Sequence, residues 1–274
     1  MIDRIATAVR ALPASGRLGL ALVVFWVLAA AFGPMLAPYS VGAFVDRTVF
    51  SGISSNVWLG SDYLGRDVLS RLLSGARYTV FLAFGAAMLA VTIGTSLALF
   101  AAIRGGWTDE IISRAMDTLI SMPSKIFALV LVAAFGSSLV LLLAIAAITY
   151  VPGNFRIARA LAMNLIALDF VQVARARGEG TAYIAWREIL PNMIHPLLAD
   201  MGLRFVFVVL LLSGLSFLGL GVQPPHADLG SLVRENVSGL TEGALAIIIP
   251  AIAIATLTVG ANLLIDALKP RGKS

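Results

Sequence analysis

Residues that could support enzymatic chemistry are few in this chain, and their spacing matches no catalytic motif. The segment Gly272-Lys273-Ser274 resembles the end of a phosphate-binding loop. Such a loop needs a glycine five residues before Gly272, where this chain has Ala267, and a following helix whose N-terminus faces the phosphate. The histidines His195 and His226 are too far apart in sequence to suggest one site, and no G-x-S-x-G, H-E-x-x-H or paired-carboxylate motif occurs. We therefore expect a chain that is not an enzyme and does not hydrolyse ATP itself.

Several charged residues stand inside long apolar runs, where ionisable groups are costly and are usually paired or face a water-filled cavity. Asp200 and Arg204 are four residues apart, so they share a helix face and can form an ion pair. At 1.5 Å per residue Arg204 lies about 18 Å into its run from Asn192, near the middle of a bilayer. Asp117 and Lys125 are two helical turns apart and are also predicted to share a face. Two interpretations stay open: structural ion pairs, or a translocation path in which Lys125 and Arg204 attract an anionic substrate.

The composition identifies the environment of the chain. Of its 274 residues, 59% are hydrophobic and 13% are charged, and the mean hydropathy is +0.94. Soluble domains have about 45–50% apolar and about 25% charged residues, so the excess apolar surface indicates a lipid bilayer. The lack of cysteine excludes a disulfide scaffold, and with two histidines we expect no metal site. The net charge of +5 is attributed to basic cytoplasmic loops and not to nucleic-acid binding.

Six apolar runs are each about long enough to cross a bilayer as a helix. Backbone groups in lipid must be paired internally, so the fold class predicted is all-α, a polytopic membrane protein with about six transmembrane helices. The runs cover 18–36, 78–103, 108–135, 137–155, 193–221 and 244–265. The predicted organisation is a cytoplasmic N-terminus (1–17), a first transmembrane helix (18–36), a periplasmic segment (37–77), a five-helix core (78–268) with a cytoplasmic segment (156–192), and a cytoplasmic tail (269–274).

Basic residues decide the orientation. With the N-terminus inside, 13 of the 20 Lys and Arg residues fall on the inner side and 5 on the outer side. Cytoplasmic loops carry the excess of Lys and Arg, so both termini are predicted to be cytoplasmic. A signal peptide would be the alternative for the first run, but 18–36 is longer than the roughly 7–15 residues of a signal h-region.

The cytoplasmic segment 156–192 has the pattern of two short helices. Apolar residues such as Ile157, Leu161 and Leu165 recur at helical spacing, as in an amphipathic helix at a membrane surface. Gly178 and Gly180 permit a sharp turn, and a second helical pattern follows, ended by Pro191. The alternatives are a plain loop or a helical projection that inserts into a partner protein.

Three stretches carry a resemblance to a known family. Ala174-Arg175-Ala176, Gly178 and Leu190-Pro191-Asn192 resemble the Glu-Ala-Ala coupling motif of bacterial ABC importer permeases, with Gln172 and Val173 in place of its usual Glu and first Ala. The stretches 60–77 (GSDYLGRDVLSRLLSGAR) and 215–225 (LSFLGLGVQPP) are similar to segments of dipeptide and oligopeptide permeases. The chain from about residue 17 onward thus resembles the "C"-type permease of the dipeptide/oligopeptide/nickel class.

The resemblance implies a type I importer fold and a set of partners. These are a second, homologous permease, two ATPase subunits and a periplasmic substrate-binding protein. ATP and Mg²⁺ would be held by the ATPase subunits, and no cofactor by this chain. A coupling helix around Gly180 to Glu188 would lie in a groove of one ATPase, with Tyr183, Ile184 and Trp186 as its apolar face or, alternatively, packed under the chain's own helices. The full predicted coupling set is Ala174, Gly178, Gly180, Tyr183, Ile184, Trp186, Glu188, Leu190 and Pro191.

The periplasmic segment 37–77 combines arginines and aspartates with turn residues. It is interpreted either as a docking surface for the binding protein or as a cap closed by its own Asp–Arg pairs. The residues singled out here are Gly60, Asp62, Gly65, Arg66 and Asp67. For the two glycines, Arg66 and Asp67 a structural role is favoured over contact with substrate.

The function predicted is the transmembrane permease subunit of an ATP-driven bacterial importer in the inner membrane. Peptides or peptide-like solutes, with anionic ones among the candidates, are the expected substrates. Metal chelates of the nickel type and opines are alternatives. A secondary transporter would have paired halves with broken helices, and a membrane enzyme would need a catalytic constellation; the sequence has neither pattern.

Overall fold

The computed structural model describes residues 12–268, so residues 1–11 and the predicted tail 269–274 lie outside the described residues. The chain between them is helical, with only isolated β-bridges such as that between Phe44 and Arg66. The helices are α1 (Ala14–Leu36), α2 (Val68–Arg104), α3 (Gly106–Ile120), α4 (Ser124–Phe135), α5 (Leu139–Ile166), α6 (Asp169–Ala176), α7 (Thr181–Phe217), α8 (Leu229–Glu235) and α9 (Leu245–Leu268).

Five of these helices, α1, α2, α5, α7 and α9, are long and apolar enough to cross a membrane. Helices α3 and α4 make a sixth span if they are taken together, although they are bent by 87° relative to each other. Many large apolar side chains on the long helices are exposed, Phe25, Phe32 and Phe81 among them, as expected for surfaces that face lipid. The all-α, membrane-spanning fold class with about six spans is confirmed.

The bend between α3 and α4 lies at Ser121-Met122-Pro123. Proline lacks a backbone N–H and restricts the residue before it to extended conformations, so α3 cannot run on into α4. Pro123 has a φ of −56° and a ψ of 123°, which is not a helical conformation, and it directly precedes α4. The apolar run 108–135, predicted as one helix, is therefore two helices because of this proline.

Several helices extend into segments predicted to lie outside the membrane helices. Helix α2 begins at Val68 and not at Tyr78, because the Asp67 carboxylate accepts a hydrogen bond from the Ser70 N–H at 2.8 Å and caps the first turn. Helix α5 continues to Ile166, and α7 begins at Thr181. The apolar runs are shorter than these helices because the ends of the helices carry charged side chains.

Helix α2 is the centre of the bundle and packs most extensively on α5. The contact is built from small residues, since Ala83, Ala86 and Ala87 on α2 are buried in one cluster with Ala146 and Ala147 on α5. Small side chains let helix backbones approach closely in a membrane. Helices α1 and α9 pair in the same way near Gly19, where an added Cβ would lie 2.7 Å from the Gly260 carbonyl oxygen.

Gly65 offers a test of the loop between α1 and α2. Its φ of +75° is left-handed, and an added Cβ would lie 2.2 Å from the Asp46 carbonyl oxygen. We expect Gly65→Ala to lower stability by roughly 1–2 kcal/mol from the backbone conformation, plus the cost of relieving the overlap. Thermal melting of the detergent-purified protein measures the loss. Gly52→Ala is the matched control, because its Cβ would meet nothing within 4 Å; equal melting of both variants would contradict the prediction.

Candidate functional site

The segment 156–192, predicted to be cytoplasmic, contains one short amphipathic helix, α6. Val171 and Ala174 are fully buried against the bundle, whereas Phe170 and Val173 are 37% and 56% exposed. The helix ends in a Schellman turn, in which the Gly178 N–H donates to the Arg175 carbonyl and the Glu179 N–H to the Ala174 carbonyl. Gly178 has a φ of +83°, the conformation that such a turn requires. The segment thus presents an apolar strip on a rigid helix held against the bundle.

The predicted coupling helix at 180–188 is wrong as a separate element. These residues form the first turns of α7, a 37-residue helix. Ile184 is 3% exposed and packs inside the chain, so it cannot form a contact face, whereas Tyr183 and Trp186 are 41% and 57% exposed. The separate short helix is α6, on the other side of the glycine turn.

Pro191 explains an irregularity at the start of α7. Residues Ile184–Ile189 form a π-helical stretch, and the Leu190 N–H donates to the Ala185 carbonyl, one residue further back than in an α-helix. Because proline removes a hydrogen bond and its ring clashes with the carbonyl four residues earlier, a wider turn before it relieves the clash. Glu188 lies in this stretch and forms an ion pair of 3.6 Å with Arg177. The glycine turn and the start of α7 are thereby tied together.

A polar network crosses the interior of the membrane helices. Arg204 Nη2 donates to Asp200 Oδ1 at 3.0 Å, and both residues are at least nine-tenths buried. Asn154 on α5 donates to Asp200 Oδ2 at 2.7 Å and accepts from the Thr95 hydroxyl on α2 at 3.2 Å. The predicted Asp200–Arg204 pair is present, and its hydrogen-bond network joins α2, α5 and α7.

Gly153 and Gly94 make room for this network. A Cβ on Gly153 would lie 2.6 Å from Arg204 Nη1, and one on Gly94 would lie 2.5 Å from Asn154 Oδ1. Arg204 also lines a pocket of about 240 Å³, together with Met122, Pro123 and Tyr150. The guanidinium is thus buried on one side and reaches a pocket beside the α3–α4 bend on the other.

Asp117 and Lys125 do not share a face, which corrects the sequence prediction. The α3–α4 bend separates them, and both side chains are exposed. Among residues 12–268 no ion pair forms at Lys125 or Asp117, whereas Arg204 is neutralised by Asp200. Of the two cations predicted to attract an anion, Lys125 alone keeps an uncompensated charge in this part of the chain.

Two of the residues predicted for the outer side, Asp62 and Arg66, belong to a buried ion-pair cluster. Asp62 Oδ2 accepts from Arg66 Nε and from Arg71 Nη1, both at 2.7 Å. Glu235 at the end of α8 binds the same two arginines at 3.1 Å and 2.8 Å. Gly60, like Gly65, has a left-handed φ, here +78°. This geometry supports a cap closed by its own ion pairs.

Two further carboxylates stabilise the loops on this side. Hydrogen bonds from the Thr48 N–H and from the Ser51 and Thr48 hydroxyls lower the pKa of the Asp46 carboxyl to about 2. Asp228 caps α8 and accepts from the Ser216 hydroxyl at 2.6 Å; burial nevertheless raises the pKa of its carboxyl. No group of three or more potential metal ligands (His, Cys, Asp or Glu) occurs within residues 12–268.

Sequence reasoning missed the partners of the predicted residues. Asn154 and Thr95 are single uncharged polar residues in apolar runs, and Arg71 and Glu235 become partners only through the fold. The signal for Asn154 was present, since an amide inside a membrane span needs a hydrogen-bond partner. The signal for Glu235 was not, because 164 residues separate it from Arg71.

The family match decides the identity of this bundle. Residues 94–274 match the family described as "Binding-protein-dependent transport system inner membrane component". The chain belongs to this family.

Individual family members align over nearly the whole chain. The dipeptide transport system permease protein DppC of Alkalihalophilus pseudofirmus is 32% identical over 260 residues, which cover 93% of this chain and 86% of that protein. The glutathione transport system permease protein GsiD of Pectobacterium atrosepticum is 34% identical, with coverage of 92% and 86%. The DppC protein of Haemophilus influenzae is 30% identical, with coverage of 92% and 88%. The resemblance to ABC importer permeases is confirmed, and the chain is a transport component of the inner membrane.

Proposed function

We propose that this family member is the permease subunit of an ATP-driven importer for peptides or peptide-like solutes. The observation that carries the substrate class is the alignment, over more than nine-tenths of the chain, with permeases named for dipeptide and glutathione transport. Metal chelates and opines are the less favoured substrates, because none of the similar permeases reported above is named for them.

The proposed assembly has the second permease, two ATPase subunits and a periplasmic binding protein as partners. The ATPase subunits hold ATP and Mg²⁺ and perform the hydrolysis. In this proposal both termini of the chain lie in the cytoplasm, so that α6 faces the ATPases and the Asp62 cluster faces the binding protein. Helix α6, with the glycine turn and the exposed Tyr183, transmits ATPase closure as a rigid-body rotation of the bundle.

The translocation path is proposed to run past the pocket at the α3–α4 bend. Arg204 lines this pocket and is paired with Asp200, so it offers hydrogen bonds to a passing substrate without net charge. Lys125, in the first turn of α4, would supply the attraction for an anion. An anion preference is therefore expected to depend on Lys125 more than on Arg204.

Reconstitution of the complete transporter in proteoliposomes tests the proposal. Binding protein loaded with neutral, cationic or anionic peptides should raise ATP hydrolysis and peptide uptake together. Lys125→Gln should reduce uptake of anionic peptides selectively, with Arg114→Gln as a control on an exposed arginine. Uptake that needs no ATPase and follows an imposed proton or sodium gradient would overturn the proposal.

A further inference from the structure

A groove runs along the outside of the bundle between α2 and the first half of α7. Two adjoining pockets of about 180 Å³ and 260 Å³ form it, and Ser96 and Trp186 line both of them. Its walls are mainly apolar, with Leu198 and Met201 at one end, and Arg104 stands at the other end. We call this surface the inner groove.

The length of the inner groove corresponds to one leaflet. On α2 the groove extends from Val91 to Arg104, a distance of about 20 Å at 1.5 Å per residue. Half of a hydrocarbon core is about 15 Å thick, and the headgroup region adds roughly 5–7 Å on each side. A single phospholipid therefore spans the groove from headgroup to chain end.

The charge at the mouth of the groove selects the headgroup. Arg104 is the last residue of α2, and its guanidinium lies 5.4 Å from the centre of the Phe100 ring. Within residues 12–268 no carboxylate forms an ion pair with it. A cation at the headgroup level complements an anionic phosphate. Trp186 is 57% exposed in the middle of the groove, where it offers a broad apolar contact.

We propose that the inner groove binds one anionic phospholipid of the cytoplasmic leaflet, with its phosphate on Arg104 and an acyl chain between α2 and α7. The lipid site rests on the proposed function in one respect: the proposed orientation places Arg104 at the cytoplasmic face. The bound lipid fills the gap between the central helix and the helix that begins at the coupling segment.

Photolabelling of the complete transporter in nanodiscs tests the site. Phosphatidylglycerol and phosphatidylcholine, each with the same diazirine on an acyl chain, are compared, and the labelled peptides are identified by mass spectrometry. Phosphatidylglycerol should label the groove residues 91–104 and 186–201 in preference to phosphatidylcholine, by about fivefold for one basic residue at an anionic headgroup. Arg104→Gln should remove this preference, Arg104→Lys should retain most of it, and Arg114→Gln should leave it unchanged.

The outcomes separate this inference from the proposed function. Equal labelling by both lipids, or an undiminished preference in Arg104→Gln, would overturn the anionic site. No groove labelling in the assembled complex would overturn it as well and would indicate that a partner subunit covers the surface. ATP hydrolysis stimulated by loaded binding protein is measured in the same nanodiscs, so a transporter that is active without groove labelling refutes the lipid site alone.

Discussion

Asp200→Ala is expected to destabilise the protein by about 3–5 kcal/mol, the usual cost of leaving one partner of a buried ion pair without the other. Arg204 would keep its charge inside the bundle, and Asn154 would lose the acceptor of its 2.7 Å hydrogen bond. The expected result is a large fall in the yield of folded protein and in its melting temperature after purification in detergent.

A double variant makes this prediction specific to the pair. Asp200→Ala combined with Arg204→Met removes both charges and should recover most of the lost stability, because a neutral apolar pair carries no unpaired ion. Glu110→Ala is the matched control: Glu110 and Arg114 have the same four-residue spacing but lie 3.7 Å apart on the surface. Exposed helix pairs contribute about 0.3–0.5 kcal/mol, so the control should melt almost as the wild type does. A double variant as unstable as the single one would refute the argument.

The double variant, once its stability is restored, also distinguishes a structural role of the ion pair from a role in transport. If it folds and assembles but takes up peptide slowly, Arg204 contributes hydrogen bonds along the path as well as stability. If it transports as the wild type does, the pair is structural and the path hypothesis for Arg204 is lost.

Val173→Asp is expected to uncouple the transporter. Val173 is the most exposed large apolar residue of α6, and a charge there would have to be desolvated wherever an ATPase packs on the helix. We expect at least about a tenfold loss of ATP hydrolysis stimulated by loaded binding protein, since 1.4 kcal/mol of lost contact already gives that factor. Stability should change little, because the side chain is exposed within the chain itself.

Gln172→Glu is the control for Val173→Asp. It adds the same charge one residue away on α6, at the position where the related coupling motif carries Glu. Stimulated ATP hydrolysis should be kept or increased in this variant. Loss in both variants would mean that any negative charge on α6 is harmful, and loss in neither would place the ATPase contact elsewhere.

Local geometry explains which parts of the site could be predicted from the sequence. Asp200 and Arg204 were paired correctly because a four-residue spacing brings side chains together on any uninterrupted helix. The same reasoning failed for Asp117 and Lys125, because Pro123 interrupts the helix between them. A proline inside an apolar run thus interrupts the helix, and residues on its two sides cannot be assigned to one helix face from their spacing.

Long-range partners could not be predicted. The six apolar runs identified the spans, but they do not say that Glu235 joins Asp62 or that Asn154 joins Asp200. The sequence predicts a separate short helix at 180–188, because the pattern after Gly180 is helical too. The structure shows that those residues continue into a membrane span, and this leaves α6 as the free-standing helix.

The unbroken length of α2 has a mechanical consequence. The helix starts beside the Asp62 cluster and ends at Arg104, with no proline between them. At 1.5 Å per residue its 37 residues measure about 55 Å, so a tilt of about 10° displaces one end relative to the other by roughly 10 Å. In the proposed orientation, helix α2 can therefore act as a lever, through which a small rotation on the ATPase side opens or closes the entrance on the other side without any hinge in between.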